Sequence, residues 1–177
     1  MPRCEGRSLI VLVGPPGSGK TTWARKNGQG VVHVSQDDLI DAITPDGFDH
    51  IYRPIYRCAE DAIAGVALAR GHTVIVDRTN RTRSHRERWL RIAAEASSPA
   101  IAVVMTASES LCRQRNADRM DSRRLTEERM DRMFTALQPV TADEGFAAIY
   151  QDDVSIDRIL QELETKEYLH EHFHQTR

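Results

Sequence analysis

The sequence predicts an α/β fold, a parallel sheet of about five strands with helices on both faces. Three observations carry this prediction. The apolar run from Leu9 to Val13 passes through a glycine-rich segment directly into a helical pattern. Short apolar, strand-like runs then alternate with longer runs of helical period, as a parallel sheet with crossover helices requires. A chain of 177 residues with 40% apolar content is long enough to bury one such core. One domain over residues 1–177 is expected, with its core over about 8–150 and a closing helix over about 156–169.

The elements follow in order. Leu9 to Val13 reads as a buried strand and Lys20 to Lys26 as a helix. Between them Gly14, Pro15, Pro16, Gly17, Ser18, Gly19, Lys20 and Thr21 fill every position of the pattern G-x-x-x-x-G-K-[ST], followed by Thr22. This strand, loop and helix make a phosphate-binding P-loop, so the expected sheet is of the P-loop NTPase type. Val31 to Val34 reads as a second strand, and Pro45, Asp46 and Gly47 break the chain. Ile55, Ala59, Ala62, Ile63, Val66 and Ala67 recur at helical spacing up to Gly71. Thr73 to Val76 is a third strand, Ser84 to Ala96 a helix with Trp89, Ile92, Ala93 and Ala96 on one face, and Ala100 to Thr106 a fourth strand. Ser108 and Thr126 read as N-caps of the next two helices. A strand near Phe146 to Tyr150 and an amphipathic helix near Ile156 to Leu169 close the domain.

Composition excludes several functions. No apolar run approaches the roughly 18 residues that span a bilayer, and the N-terminus lacks a secretory pattern, so a cytoplasmic protein without a membrane partner is expected. Cys4, Cys58 and Cys112 are odd in number and far apart, which fits buried thiols better than disulfides or a zinc cluster. A net charge of −2 argues against nonspecific coating of nucleic acid. Of the 24 basic residues only Lys20, Lys26 and Lys166 are lysines. The arginine excess fits phosphate recognition, and equally a compositional bias.

Ligands of parallel sheets bind at the carboxyl ends of strands. The P-loop, Asp37, the stretch Asp77 to Asn80, and Ser108 all follow strands and are expected in one crevice. In that crevice the loop amides and helix N-terminus would surround the phosphates of ATP or another nucleoside triphosphate, with Lys20 on the γ-phosphate and Thr21 on Mg²⁺. Asp37 is the candidate general base, placed to take the proton of an attacking hydroxyl; a cap for a helix beginning near Leu39 is the other use of Asp37 or Asp38. Arg115 and Arg119, four residues apart, are candidate catalytic arginines on the nucleotide phosphates, or part of a solvated face paired with neighbouring acids. Asp77, Arg78 and Thr79 are candidate acceptor contacts, Arg78 for an acceptor phosphate. Arg81, Arg83, Arg86, Arg88 and Arg91 would make a basic helix suited to an oligonucleotide, or a solvated face. His170, His172 and His174 lack the supporting ligands of a metal site.

These residues resemble the 5′-hydroxyl polynucleotide kinase domain of nucleic-acid end-repair enzymes. The resemblance covers roughly 8–150 and rests on the P-loop, Ser35-Gln36-Asp37, Asp77-Arg78-Thr79-Asn80, Arg115-Asn116-x-x-Arg119 and Glu144-Gly145-Phe146. It implies transfer of the γ-phosphate of ATP to the 5′-hydroxyl end of RNA or DNA, with Asp37 as general base and Arg115 and Arg119 on a lid. The family commonly carries an Arg three residues after the catalytic Asp; here that position is Ile40, and Arg78, or Arg53 and Arg57 in the loop between, are the candidates to replace it. The D-x-D-x-T phosphatase motif is absent, so a separate phosphatase or ligase partner is implied. The alternative is a small-molecule kinase of the same fold, acting on a sugar, nucleoside or antibiotic hydroxyl. The sequence leaves open the choice of RNA or DNA, ATP or GTP, and the oligomeric state.

Overall fold

The strands are β1 (Leu9–Val13), β2 (Val32–Ser35), β3 (Val74–Asp77), β4 (Ala100–Val104) and β5 (Ala148–Gln151), in the order β2-β3-β1-β4-β5 with every pair parallel. They belong to a computed structural model that describes residues 7–44, 46–120 and 123–173, with side chains to residue 165. The helices are α1 (Lys20–Asn27), α2 (Gln36–Ile43), α3 (Arg53–Ala69), α4 (Arg83–Glu95), α5 (Glu109–Ala117), α6 (Glu127–Thr135) and α7 (Ile156–Phe173).

Strand alternation divides the core in two. Leu9, Val11 and Val13 point to one face, where Ala64, Ala67 and Leu68 of α3 and Trp89, Ile92 and Ala93 of α4 cover them. Ile10 and Leu12 point to the other, under Trp23 and Ala24 of α1 and Ile156, Ile159 and Leu163 of α7. β1 is buried on both faces along its whole length, which is why it reads as an unbroken apolar run. From β1 the chain crosses to the edge strand β2, whereas from β3 it crosses over β1 to β4. The neighbours β1 and β3 therefore send their connections in opposite directions, and the crevice at their carboxyl ends is where this topology binds ligands.

Caps set several starts. Ser108 accepts from Leu111 N–H and Thr126 from Arg129 N–H, as expected. The expectation that Asp37 or Asp38 caps a helix near Leu39 is corrected. Ser35 is the N-cap, accepting from Asp38 N–H, so both aspartates lie in the first turn of α2, where negative charge suits the helix dipole. Strands β2 and β5 lie one or two residues later than expected, β4 stops at Val104, and α7 runs on to Phe173. Arg53 and Arg57 belong to the first two turns of α3, with Pro54 beside Arg53, and not to a loop. Cys112 is buried as expected, but Cys58 is exposed. Cys4, Pro45 and His174 lie outside the described residues, as do the side chains of His170 and His172. No described helix is long and apolar enough to cross a membrane.

Candidate active site

β1 delivers its carboxyl end to the P-loop, whose geometry excludes side chains at the apex. Gly17 has φ 79°, and a Cβ there would fall 2.5 Å from the Cys112 carbonyl oxygen of α5. Gly19, the N-cap of α1, has φ 102°. Gly14, Pro15 and Pro16 are buried beneath the loop, and Gly14 N–H donates to the Thr79 carbonyl at 3.0 Å, tying the loop to the end of β3. Lys20 donates to the carbonyls of Pro15 at 2.8 Å and Gly14 at 3.1 Å. Burial pulls its ammonium down to about 8, with nearby Arg119 acting in the same direction and Asp77 and Asp37 against it.

Asp77, at the end of β3, is the acidic centre of this crevice. Burial pushes its carboxyl up, but hydrogen bonds with His33 and Thr21 and the charge of Lys20 outweigh it and hold the group below its ordinary value. His33 Nε2 stands 3.4 Å from Asp77 Oδ2, too poorly aligned to satisfy either atom fully, so Oδ2 is a buried acceptor with spare capacity.

Two cavities open from here. The larger, about 610 Å³, is lined by Gly17 to Trp23, Lys26, Thr106, Ala107, Leu111, Arg115, Arg119 and Asp152. The smaller, about 240 Å³, is lined by Thr21, Arg25, Ser35, Asp37, Asp38, Arg119, Met120 and Arg123. The P-loop thus faces one cavity and Asp37 the other, and Thr21 and Arg119 line both. Arg115, in the last turn of α5, donates to the Gly17 carbonyl at 3.1 Å, while Arg119 lies just past that helix. Beyond it, Arg123 forms an ion pair with Asp41 of α2.

Other predicted residues have structural partners. Arg78 is held by Glu60 at 2.5 Å, and the same buried carboxylate receives Arg88 at 3.1 Å. The Thr79 carbonyl anchors Gly14. The basic face expected on α4 is largely neutralised: Arg83 pairs with Asp143, Arg88 with Asp61, and Arg91 with Glu95. Arg86 is fully buried, gripping both oxygens of Glu144 at 2.6 Å each and the carbonyls of Asn80, Gln138 and Pro139. Asn80 is also structural. At φ 43° it donates to the Leu12 carbonyl at 2.8 Å and accepts from Trp89 Nε1 at 2.9 Å. Arg113 spends its charge on Glu109, Glu127 and Asp131.

The family model described as the AAA domain matches residues 9–140. The chain belongs to that family. It is a P-loop kinase, a nucleotide-binding phosphotransferase. A curated relative, the bifunctional polynucleotide phosphatase/kinase of Schizosaccharomyces pombe, is 30% identical over 152 residues, which are 83% of this chain and 34% of that protein. The kinase thus spans about a third of the length of the curated relative it matches. In fold it is similar to a protein from Chloroflexus aurantiacus, with TM-score 0.70, 16% identity and coverage of 93% of this chain and 97% of that one. It is also similar to a chain of the Pnkp1/Rnl/Hen1 RNA repair complex, with TM-score 0.66, 23% identity and coverage of 76% and 45%. A gluconokinase from Sinorhizobium meliloti shares the fold at TM-score 0.54 and 17% identity, covering 98% of this chain and 99% of that one.

The kinase has two hard oxygen donors suited to Mg²⁺, the Thr21 hydroxyl and the under-occupied Asp77 Oδ2. Among the described residues no group of three or more His, Cys, Asp or Glu is placed to hold a metal ion. Sequence reasoning assigned no role to three contributors. Arg25 reaches the Asp37 cavity from α1, signalled only by its position four residues after Thr21. Asp152, beyond β5, accepts from Thr106 N–H at 3.2 Å and Thr106 Oγ1 at 2.7 Å, joining two walls of the larger cavity. Asn116, buried within α5, exchanges hydrogen bonds of 2.8 and 3.0 Å with the Leu125 backbone and so ties α5, beside Arg115 and Arg119, to Leu125.

Proposed function

We propose that this kinase transfers the γ-phosphoryl group of ATP, or another nucleoside triphosphate, to the 5′-hydroxyl end of RNA or DNA. The observation that carries the reading is the pair of cavities sharing Thr21 and Arg119, with Lys20 on one side and Asp37 on the other. Such an arrangement suits transfer across a boundary. The donor fills the P-loop cavity, Asp37 accepts the proton of the hydroxyl entering from the smaller one, and Arg115 and Arg119 offset charge on the phosphoryl group between them. Mg²⁺, on Thr21 and Asp77, would neutralise further phosphate charge.

The nucleic-acid acceptor is supported by the relative from Schizosaccharomyces pombe and by Arg25, a cation in the Asp37 cavity able to meet an acceptor phosphate. The rival is a small-molecule acceptor, favoured by the modest 240 Å³ of that cavity and the gluconokinase likeness. The deciding experiment is transfer of labelled γ-phosphate, with Mg²⁺, to a 5′-hydroxyl oligonucleotide, to the same strand already 5′-phosphorylated, and to gluconate. Label on the first alone supports the proposal. Label on gluconate alone replaces it with the rival.

A further inference from the structure

Arg78, the sequence-level substitute for the arginine missing at Ile40, is already clamped by the buried Glu60. The same helix continues past this clamp. Arg57 and Arg53 lie three and seven residues before Glu60, hence on its face of α3, about one and two turns nearer the helix N-terminus. That end of α3 adjoins the carboxyl end of α2, where Thr44 shares a hydrogen bond with Tyr56 of α3 at 2.5 Å; the opposite end of this eight-residue helix lines the Asp37 cavity. It also adjoins α4, since Arg88 donates to the Arg57 carbonyl at 2.7 Å. Among the described residues neither Arg53 nor Arg57 forms an ion pair, and both are exposed. The nearby carboxylates Glu60 and Asp61 are taken by Arg78 and Arg88. His85, in the first turn of α4, is held below its ordinary value by burial and then by the charges of Arg81, Arg78, Arg57 and Arg53, which marks the field as positive.

Large apolar side chains are exposed beside these cations. Ile51 is 73%, Ile55 51%, Phe48 43% and Tyr52 41% accessible, and Phe48 stands edge-on to His50 at 4.9 Å. Unpaired arginines interleaved with exposed rings are what a flexible single strand uses, phosphates on the cations and bases on the rings.

Resting on the polynucleotide reading above, we infer that the segment Phe48 to Arg57 is a docking wall for single-stranded nucleic acid, holding the nucleotides that follow the reacting end through Arg53 and Arg57. The wall supplies cations where Ile40 has none, and none of its residues lines the Asp37 cavity itself.

The test compares wild type with the double variant Arg53→Ala/Arg57→Ala, whose sites are exposed, using a 12-nucleotide single strand and a nucleoside 3′-phosphate as acceptors. The expected result is a loss of about tenfold or more in kcat/KM for the 12-mer, mainly through KM, with the short acceptor and the KM for ATP unchanged. The salt dependence of 12-mer binding should weaken by about 1.4 in log–log slope, roughly 0.7 for each lost phosphate contact. Equal 12-mer kinetics in the two proteins overturns the inference. Should wild type phosphorylate no strand at all, the proposed function fails on its own; the wall is then judged by fluorescence anisotropy with a 5′-phosphorylated 12-mer, which cannot be an acceptor. Weaker binding by the double variant supports the wall, and equal binding overturns it. A wild-type dimer that Phe48→Ser/Ile51→Ser converts to monomer, with strand binding unchanged, would make this face a contact between copies and also overturn it.

Discussion

Lys20 and Asp37 line different cavities, and on the proposed function substitution should separate their effects. Asp37→Ala is expected to keep ATP affinity and lose about 10² to 10⁴ in kcat, measured by equilibrium binding alongside labelled-phosphate transfer; unchanged turnover would remove Asp37 as the base. Lys20 gives a pH signature. Its ammonium loses the proton near pH 8, so nucleotide affinity of the free enzyme should fall as pH rises through that value. Stability moves the other way: the unfolded chain holds this proton up to about 10.5, binds more protons than the folded one between those values, and folding stability therefore rises from about pH 8 to about 10.5. Arg25→Ala should raise the acceptor KM about tenfold and leave the KM for ATP alone, because Arg25 lines only the Asp37 cavity. These residues also mark what could be read in advance. The place of Lys20 at the P-loop cavity was legible because its motif is contiguous, and that of Asp37 in the neighbouring cavity because it follows a strand end. The place of Arg25 was not, since it depends on α1 and α2 lining one cavity, which no local pattern announces.

At the scale of elements, buried charge explains both the stability of the connections and a misreading. Arg86 joined the basic face of α4 in the sequence because its partner, Glu144, is 58 residues away and no local pattern announces the contact. Removing one partner strands the other in the core, so Glu144→Gln is expected to cost about 3 kcal/mol in denaturant unfolding, whereas Arg91→Ala, breaking an exposed pair, should cost less than about 0.5 kcal/mol. Helix starts were legible where a Ser or Thr preceded the pattern, as at Ser108 and Thr126. At α2 the competing aspartates concealed Ser35, which has the same capping chemistry two residues earlier. Strand ends were blurred where burial alternates, as in β5, with no unbroken apolar run to delimit them.

For the whole molecule, alternating strands and helices conveyed a parallel sheet and a crevice at its carboxyl ends, but not the order β2-β3-β1-β4-β5, which depends on contacts between segments far apart in sequence. Nor did the motifs reveal two cavities, because their linings bring together, from far apart in sequence, residues of α1, α2 and α5 with Arg119, Met120 and Arg123. A nucleotide bound to the folded state alone should stabilise the entire domain. At a hundred times its dissociation constant, ATP with Mg²⁺ is expected to add about 2.7 kcal/mol and raise the Tm by roughly 5 to 10 °C in calorimetry.

Arg119 lines both cavities with a single guanidinium. On the proposed function, ordering it for one substrate prepares it for the other, so the two occupants are expected to be coupled. The factor by which bound nucleotide changes acceptor affinity must equal the factor by which bound acceptor changes nucleotide affinity, and an Arg119→Ala variant should bring both toward unity together.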